Sequence, residues 1–320
     1  MLSNIPNQVA KVLNDVHLPT CFMKITIGII SYNEGENLRN LFKQVFSQLK
    51  DFETEIFLLD VSDEKYSIEI ASDIISKFNT VNLESFGNRK GKVHSLNTLF
   101  KKFLLSKSDI LIHFDADLIL HNECISHLIE SVKSEYDVVS PLSVPLSPHN
   151  FFERALAIMQ KPLEFKVKNS RVNQAMTGHG GAYSRRAIKT VFPLSGAGVD
   201  EELQILYRTL GNGLNTRVDP QALVFFRLTD NIQDYIFSVR RVTGKIKSFT
   251  ALEGEDGKKL FFQVYKRPEI KDIVRAVSND PLGSILVPFV FTLRIGAMAS
   301  SQVISNDTWI PQKSTKHLNS

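Results

Sequence analysis

The chain alternates short runs of branched apolar residues with longer stretches in which apolar residues recur every three or four positions. Residues 24–30 predict a buried strand, because Ile25, Ile27, Ile29 and Ile30 are β-branched and the run is too short for a helix. The period then changes: Leu38, Leu41, Phe42, Val45, Phe46 and Leu49 follow helical spacing, and Asn33-Glu34-Gly35 supplies the turn before them. A second apolar run over 55–59 ends in Asp60, residues 68–78 are helical in pattern, and 81–83 form a third short strand. Val93, Leu96, Phe100 and Phe103 mark another helix, and the strand over 110–114 closes directly on Asp115. This series predicts an α/β fold, a Rossmann-like, mostly parallel sheet flanked by helices on both faces.

After Val138-Val139 the alternation gives way to a passage containing Pro141, Pro145 and Pro148, which leads into more helix and loop. It is read as the change from a first half, about 24–140, to a second half, about 141–250, of one domain spanning 1–250. Residues 251–320 are expected to form a helical C-terminal extension associated with a membrane or a homodimer. Within the second half, Leu203, Leu206, Tyr207 and Leu210 predict a helix ending at Gly211. Residues 281–304 are apolar enough to suggest a membrane span, but Pro288 and Arg294 interrupt them. A buried or interfacial helix, with peripheral membrane contact, is the expectation.

Composition narrows the classes without choosing one. With 320 residues, 43% hydrophobic and 22% charged, the chain is an ordinary globular protein able to bury a sizeable core. A net charge of +4 is too small an excess to demand a nucleic-acid partner. Cys21 and Cys124 lie far apart and make neither a metal-ligand pattern nor a disulfide framework, as expected of thiols in a reducing compartment. Residues 1–20 lack the features of a secretory signal, so the expected location is the cytoplasm, with the inner face of the cell membrane as the place of any peripheral contact.

Three strands end in polar groups: Ser31-Tyr32-Asn33, Asp60-Val61-Ser62-Asp63 and Asp115-Ala116-Asp117. In open α/β sheets ligands bind beyond the carboxyl ends of the strands. Asp115 and Asp117 are two apart, so in extended backbone both side chains can point the same way, and such a pair suits a hard divalent cation, Mn²⁺ or Mg²⁺, together with substrate phosphates. Gly91-Lys92 opens a helix, where an ammonium and the helix N-terminus both favour a diphosphate. Taken singly, each motif has a structural reading: Asn33 and Glu34 as turn and cap residues, and Asp200-Glu201-Glu202 as acids matched to a helix dipole.

The order of these motifs resembles family 2 glycosyltransferases. It runs through Ser31-Tyr32-Asn33-Glu34, Asp60, Gly91-Lys92 with Asn97, Asp115-Ala116-Asp117, Gly178-His179-Gly180-Gly181 and Asp200-Glu201-Glu202-Leu203, and it covers about residues 25–247. The resemblance implies a GT-A fold, with a nucleotide-binding half about 24–140 and an acceptor half about 141–250, and inverting, metal-dependent sugar transfer from a UDP- or GDP-sugar to a glycan or lipid-linked acceptor. Tyr32, Asn33 and Glu34 would line the nucleoside pocket. Asp60 would contact base or ribose; Val61 stands where the family has a second acid, which leaves Asp60 and Asp63 as alternatives. Asp115 and Lys92 would serve the donor, Asp117 with Asp115 the metal, and Asp200 would be the catalytic base. His179, Glu202, Arg240 and Arg241 would contact acceptor or diphosphate. Val242 stands where processive members carry Trp, so the resemblance does not extend to polymer synthesis. Two alternatives stand beside this reading: nucleotidyl transfer, and non-catalytic binding of a sugar nucleotide or glycan.

Overall fold

The computed structural model describes residues 23–49, 52–78, 80–85, 91–169, 178–196, 198–264 and 269–302. Cys21 lies outside these residues, as do Asn88, Arg89 and Lys90 ahead of Gly91 and Thr177 ahead of Gly178. The first half follows the predicted alternation: β1 (Lys24–Ser31), α1 (Glu36–Gln48), β2 (Glu53–Asp60), α2 (Lys65–Lys77), β3 (Val81–Ser85), α3 (Lys92–Leu105) and β4 (Ile110–Asp115). These strands lie parallel in the order β3-β2-β1-β4.

Strand alternation divides the core between the two faces of the sheet. Ile25, Ile27 and Ile29 of β1 join Leu38, Leu41, Phe42 and Val45 of α1 and Ile70 and Ile74 of α2 in one apolar layer. Leu59 and Leu111 face the other layer, with Leu96, Leu99, Phe100 and Phe103 of α3. Helix α3 packs so closely on β1 that a Cβ at Gly28 would lie 2.2 Å from the Leu99 side chain. The glycine thus sets the depth at which α3, and Lys92 at its start, sits on the sheet.

The second half extends the same sheet through β5 (Ile119–Leu120), α4 (Cys124–Ser134), β6 (Val138–Pro145), α5 (Phe151–Asn169), β7 (Gly180–Ser184), α6 (Arg185–Val191), α7 (Glu201–Gly211) and β8 (Thr216–Phe226). The eight strands run in the order β3-β2-β1-β4-β7-β6-β8-β5. Strand β7 is antiparallel to both β4 and β6, while β6 and β8 are parallel. Pro141 and Pro145 belong to β6, so the proline-containing passage is itself a strand, and helix α5 follows it. The strand tolerates proline because β7 pairs only with Val138 and Val139, and the register with β8 slips between Pro141 and Leu142.

Beyond the sheet come α8 (Ile232–Val264), α9 (Ile270–Asn279), α10 (Pro281–Ser284) and α11 (Val287–Ala299). Helix α8 runs through residue 250 and is broken at Gly254, whose φ of 62° and ψ of −145° are not helical. No helix among the described residues is long and apolar enough to cross a membrane. Cys124 is a buried free thiol, and burial pushes its pKa up to about 12.

Candidate active site

The carboxyl ends of β1, β2 and β4 are brought level by their pairing, with Ser31 opposite Asp60 and Ile30 opposite Asp115. Parallel pairing therefore gathers the polar groups that follow these strands along one edge. The backbone locks them there: Val61 N–H donates to Ser31 O and Ala116 N–H to Ile30 O, both at 3.0 Å.

The β1 and β2 loops are stitched together by Asn33. Its backbone N–H donates to Ser62 Oγ at 2.8 Å, its Oδ1 accepts from the N–H groups of Asp63 and Glu64, and its Nδ2 donates to Asp63 Oδ1. This arrangement holds Asn33 at a φ of 54°, a left-handed conformation that asparagine tolerates. Tyr32 is buried, and its hydroxyl donates to Asp63 Oδ2 at 3.0 Å. Glu34 is buried and accepts from Asn37 Nδ2, which holds the start of α1. Asp60 is buried as well, with Ser62 Oγ–H donating to its Oδ1 at 2.7 Å; burial raises its carboxyl above the ordinary range, and the Ser62 bond opposes that shift. Asp63 is the exposed member of this pair of acids, at the rim of the loop.

The second group centres on Lys92, the first residue of α3. Its Nζ lies 2.8 Å from Asp115 Oδ2, 3.2 Å from Gly178 O and 3.7 Å from Glu201 Oε1. Glu201 Oε2 in turn accepts from Lys245 Nζ of α8 at 2.9 Å. The result is a row of alternating charges, Asp115, Lys92, Glu201 and Lys245, running from the end of β4 to α8. Burial alone would favour a neutral Lys92, but Asp115, Glu201 and Glu202 outweigh it and hold the ammonium charged above its usual range. Burial likewise opposes charge on Glu201, yet Lys245 and then Lys92 bring its carboxyl down to about 2.

Around this row stand three carboxyls shifted the other way. Burial, reinforced by Asp115, pushes Asp117 up to about 6. Burial and Glu201 push Asp200 to about 6, and burial and Asp200 push Glu202 to about 8. Asp200 is the N-cap of α7, its Oδ1 accepting the Leu203 N–H at 2.9 Å. This cap fixes the carboxylate at the helix start. Glu202 reaches under Gly178, where a Cβ would lie 3.0 Å from its Oε1.

Most of the predicted site residues are thus assembled in two neighbouring groups: Tyr32, Asn33, Glu34 and Asp60 at the β1 and β2 ends, and Lys92, Asp115, Asp117, Asp200 and Glu202 at the β4 and α7 ends. The adjacent arginines part company. Arg241 acts electrostatically on Asp117, whereas Arg240 is exposed and donates from Nε to Ser300 Oγ at 3.0 Å, away from the carboxylates. His179 is occupied by its own neighbours: its Nδ1 is 2.9 Å from Ser143 Oγ, its ring stacks on Phe226 at 4.4 Å, and burial lowers its pKa to about 4. Its backbone carbonyl accepts from Asp115 N–H. Asn97 bonds the backbone N–H and C=O of Leu194, anchoring the loop that leads to Asp200.

Sequence reasoning missed Lys245 and gave Glu201 no role beyond the helix dipole. Lys245 lies in a stretch with no motif, and only packing of α8 against α7 reveals it. Beneath Lys92 and Glu202, His113 and Tyr183 stack at 5.5 Å, and neither His113 Nδ1 nor the Tyr183 hydroxyl has a hydrogen-bond partner among the described residues.

Comparison with known proteins places the fold and the family. A dolichol-phosphate mannosyltransferase from Pyrococcus furiosus is 31% identical over 116 residues, a match spanning 36% of this chain and 32% of the relative's length. A mannosyltransferase from Pyrobaculum calidifontis, solved in complex with GDP-Man and Mn²⁺, superimposes with a TM-score of 0.58 at 14% identity, over 88% of this chain and 76% of that one. That likeness establishes a GT-A-like architecture, a mostly parallel sheet flanked by helices with a helical C-terminal region. Residues 26–192, half of the chain, match the family described as Glycosyl transferase family 2, and the chain belongs to that family.

Proposed function

We propose that the protein is an inverting, metal-dependent hexosyltransferase that moves a sugar from a nucleoside-diphosphate sugar to a hydroxyl of a glycan or lipid-linked acceptor. The observation that carries this reading is the charge row from Asp115 through Lys92 to Glu201, beside Asp200 and Glu202. One end offers groups suited to a leaving diphosphate, the other carboxylates suited to an attacking hydroxyl. GDP-mannose, named for the Pyrobaculum structure, is the first donor to try, and UDP-sugars come next.

Asp115 and Asp117 fit Mn²⁺ or Mg²⁺ in chemistry: both offer oxygen donors, and Asp117 is raised to about 6 by burial and its like-charged neighbour, a strain that a cation relieves. Asp117 with Asp115 would hold the ion, which would supply Lewis-acid stabilisation of the leaving phosphate oxygens. Lys92 neutralises phosphate charge, and Arg241 adds a second cation on the Asp117 side. Tyr32, Asn33, Glu34 and Asp60 line the nucleoside end.

Asp200 removes the proton from the acceptor hydroxyl. With a pKa of about 6 it is ionised at neutral pH and still basic enough to accept a proton in the transition state. Its cap bond to Leu203 orients it. Glu202, raised by burial and by the neighbouring Asp200, contacts the acceptor beside the base.

The test is a panel of GDP- and UDP-sugars screened with Mn²⁺ for thermal stabilisation, followed by assay of released nucleoside diphosphate. GDP or UDP release that increases with acceptor supports transfer. Binding without release would favour a non-catalytic sugar-nucleotide protein, and release of pyrophosphate a nucleotidyltransferase.

A further inference from the structure

The last three helices turn the usual burial pattern outward. In α9 the buried residues are Asp272 and Ala276, while the exposed Arg275 sets its guanidinium 4.5 Å from the Phe165 ring. Ile273, Val274 and Ile270 face outward, Ile270 being 80% exposed. An amphipathic helix meeting water orients the other way. Helix α10 and the turn after it continue this surface with Leu282 and Ile285, the latter 71% exposed.

Helix α11 is apolar on nearly every side. Its buried stripe is narrow, carrying Val290 and Ala297, while Phe291 and Ile295 are each 53% exposed. At 3.6 residues per turn the exposed positions cover more than half of its circumference. Between residues 281 and 302 the sole charged side chain is Arg294. A second copy of the chain would cover one side of such a helix. Apolar exposure around most of α11, continued over α9 and α10, fits a fluid apolar phase into which the helices sink. The 13 residues of α11 reach about 20 Å at the helical rise, short of the ~30 Å hydrocarbon core.

We propose that α9, α10 and α11 form a monotopic membrane-binding face that lies within one leaflet of a phospholipid bilayer, with Arg294 reaching back to the headgroups. The face is tied to the candidate site by one element. Helix α8 carries Lys245 and Arg241, and it holds the end of α11 through the Arg240–Ser300 bond and through Lys247 Nζ, which donates to Ser301 O at 2.8 Å. The proposal does not rest on sugar transfer, and its test reads no activity.

Flotation of the full chain with phosphatidylcholine vesicles, and with vesicles containing phosphatidylserine, decides it. The expected result is binding to both, retained in 0.5 M salt as an order-of-magnitude screening condition. The double variants Ile273→Gln/Val274→Gln and Phe291→Gln/Ile295→Gln should each lower partitioning at least about tenfold, with an unchanged unfolding midpoint in vesicle-free buffer. No binding to neutral vesicles, or binding that the variants leave intact, would overturn the proposal. So would a stable dimer in detergent-free buffer that the same variants dissociate, because it would show a second copy to be the occupant.

Discussion

The cleft and the C-terminal face break the same rule in opposite directions. At the strand edge, Glu201 is buried, and Asp115, Asp117, Asp200, Glu202 and Lys92 are at most half exposed. On α9 to α11, isoleucine and phenylalanine stand where solvent would normally meet charge. Buried charges that crowd one another raise pKa values and lower stability, whereas exposed apolar groups forgo stabilisation without straining the fold. The two regions should therefore respond to substitution differently: the cleft through activity and stability together, the face through neither until a second phase is present.

The largest effect should come from Asp200→Asn. Asparagine caps a helix about as well as aspartate, so α7 should persist, while loss of the base should lower turnover by about 10²–10⁴-fold with little change in donor affinity. Steady-state kinetics with circular dichroism checks both halves of the claim. Asp117→Asn should abolish Mn²⁺-dependent donor binding in calorimetry. It also relieves repulsion with Asp115, and so should raise Tm, by up to about 4 °C for roughly 1 kcal/mol. A fall in Tm would show that the pair is not strained.

Next comes Glu201→Gln, which leaves Lys92 and Lys245 sharing a neutral partner. Breaking a buried pair costs about 3 kcal/mol, so chemical denaturation should show a large loss of stability, and donor KM should rise as Lys92 loses its second anchor. The pH profile should then show an ascending limb near 6. Asp200 works as a base only when ionised, so the rate should fall as pH drops through that value and level off above it. A limb that disappears in Asp200→Asn assigns it. The smallest effect belongs to the face: Phe291→Ser should change stability by no more than about 0.5 kcal/mol, whereas Phe100→Ala, in the core under α3, should cost about 3–5 kcal/mol.

The parallel half of the fold was legible because its signals are local. Ile25, Ile27 and Ile29 alternate, Leu38 through Val45 repeat at helical spacing, and each strand ends at a polar residue, so elements and edge could be read along the chain. The second half was less legible. Pro141 and Pro145 carry no strand signal, and only the partial pairing of β6 with β7 lets them stand in a sheet. The site divides in the same way. Asp115, Asp117 and Asp200 could be found from the order of motifs. Lys245 could not, since its role exists only where α8 crosses α7. Arg240 and Arg241 are adjacent in sequence, but helical geometry sends one toward Ser300 and the other toward Asp117.

The sequence by itself determined the first four strands, where they end and which carboxylates stand at those ends, because a β-strand's faces and length follow from alternation along a few residues. Tertiary structure decided what those carboxylates are. It placed Lys92 between Asp115 and Glu201, set the pKa values of Asp117, Asp200 and Glu202 by burial, and turned the apolar sides of three short helices outward. Such properties depend on the distance between residues far apart in the chain and on the solvent removed between them, and no local pattern encodes either.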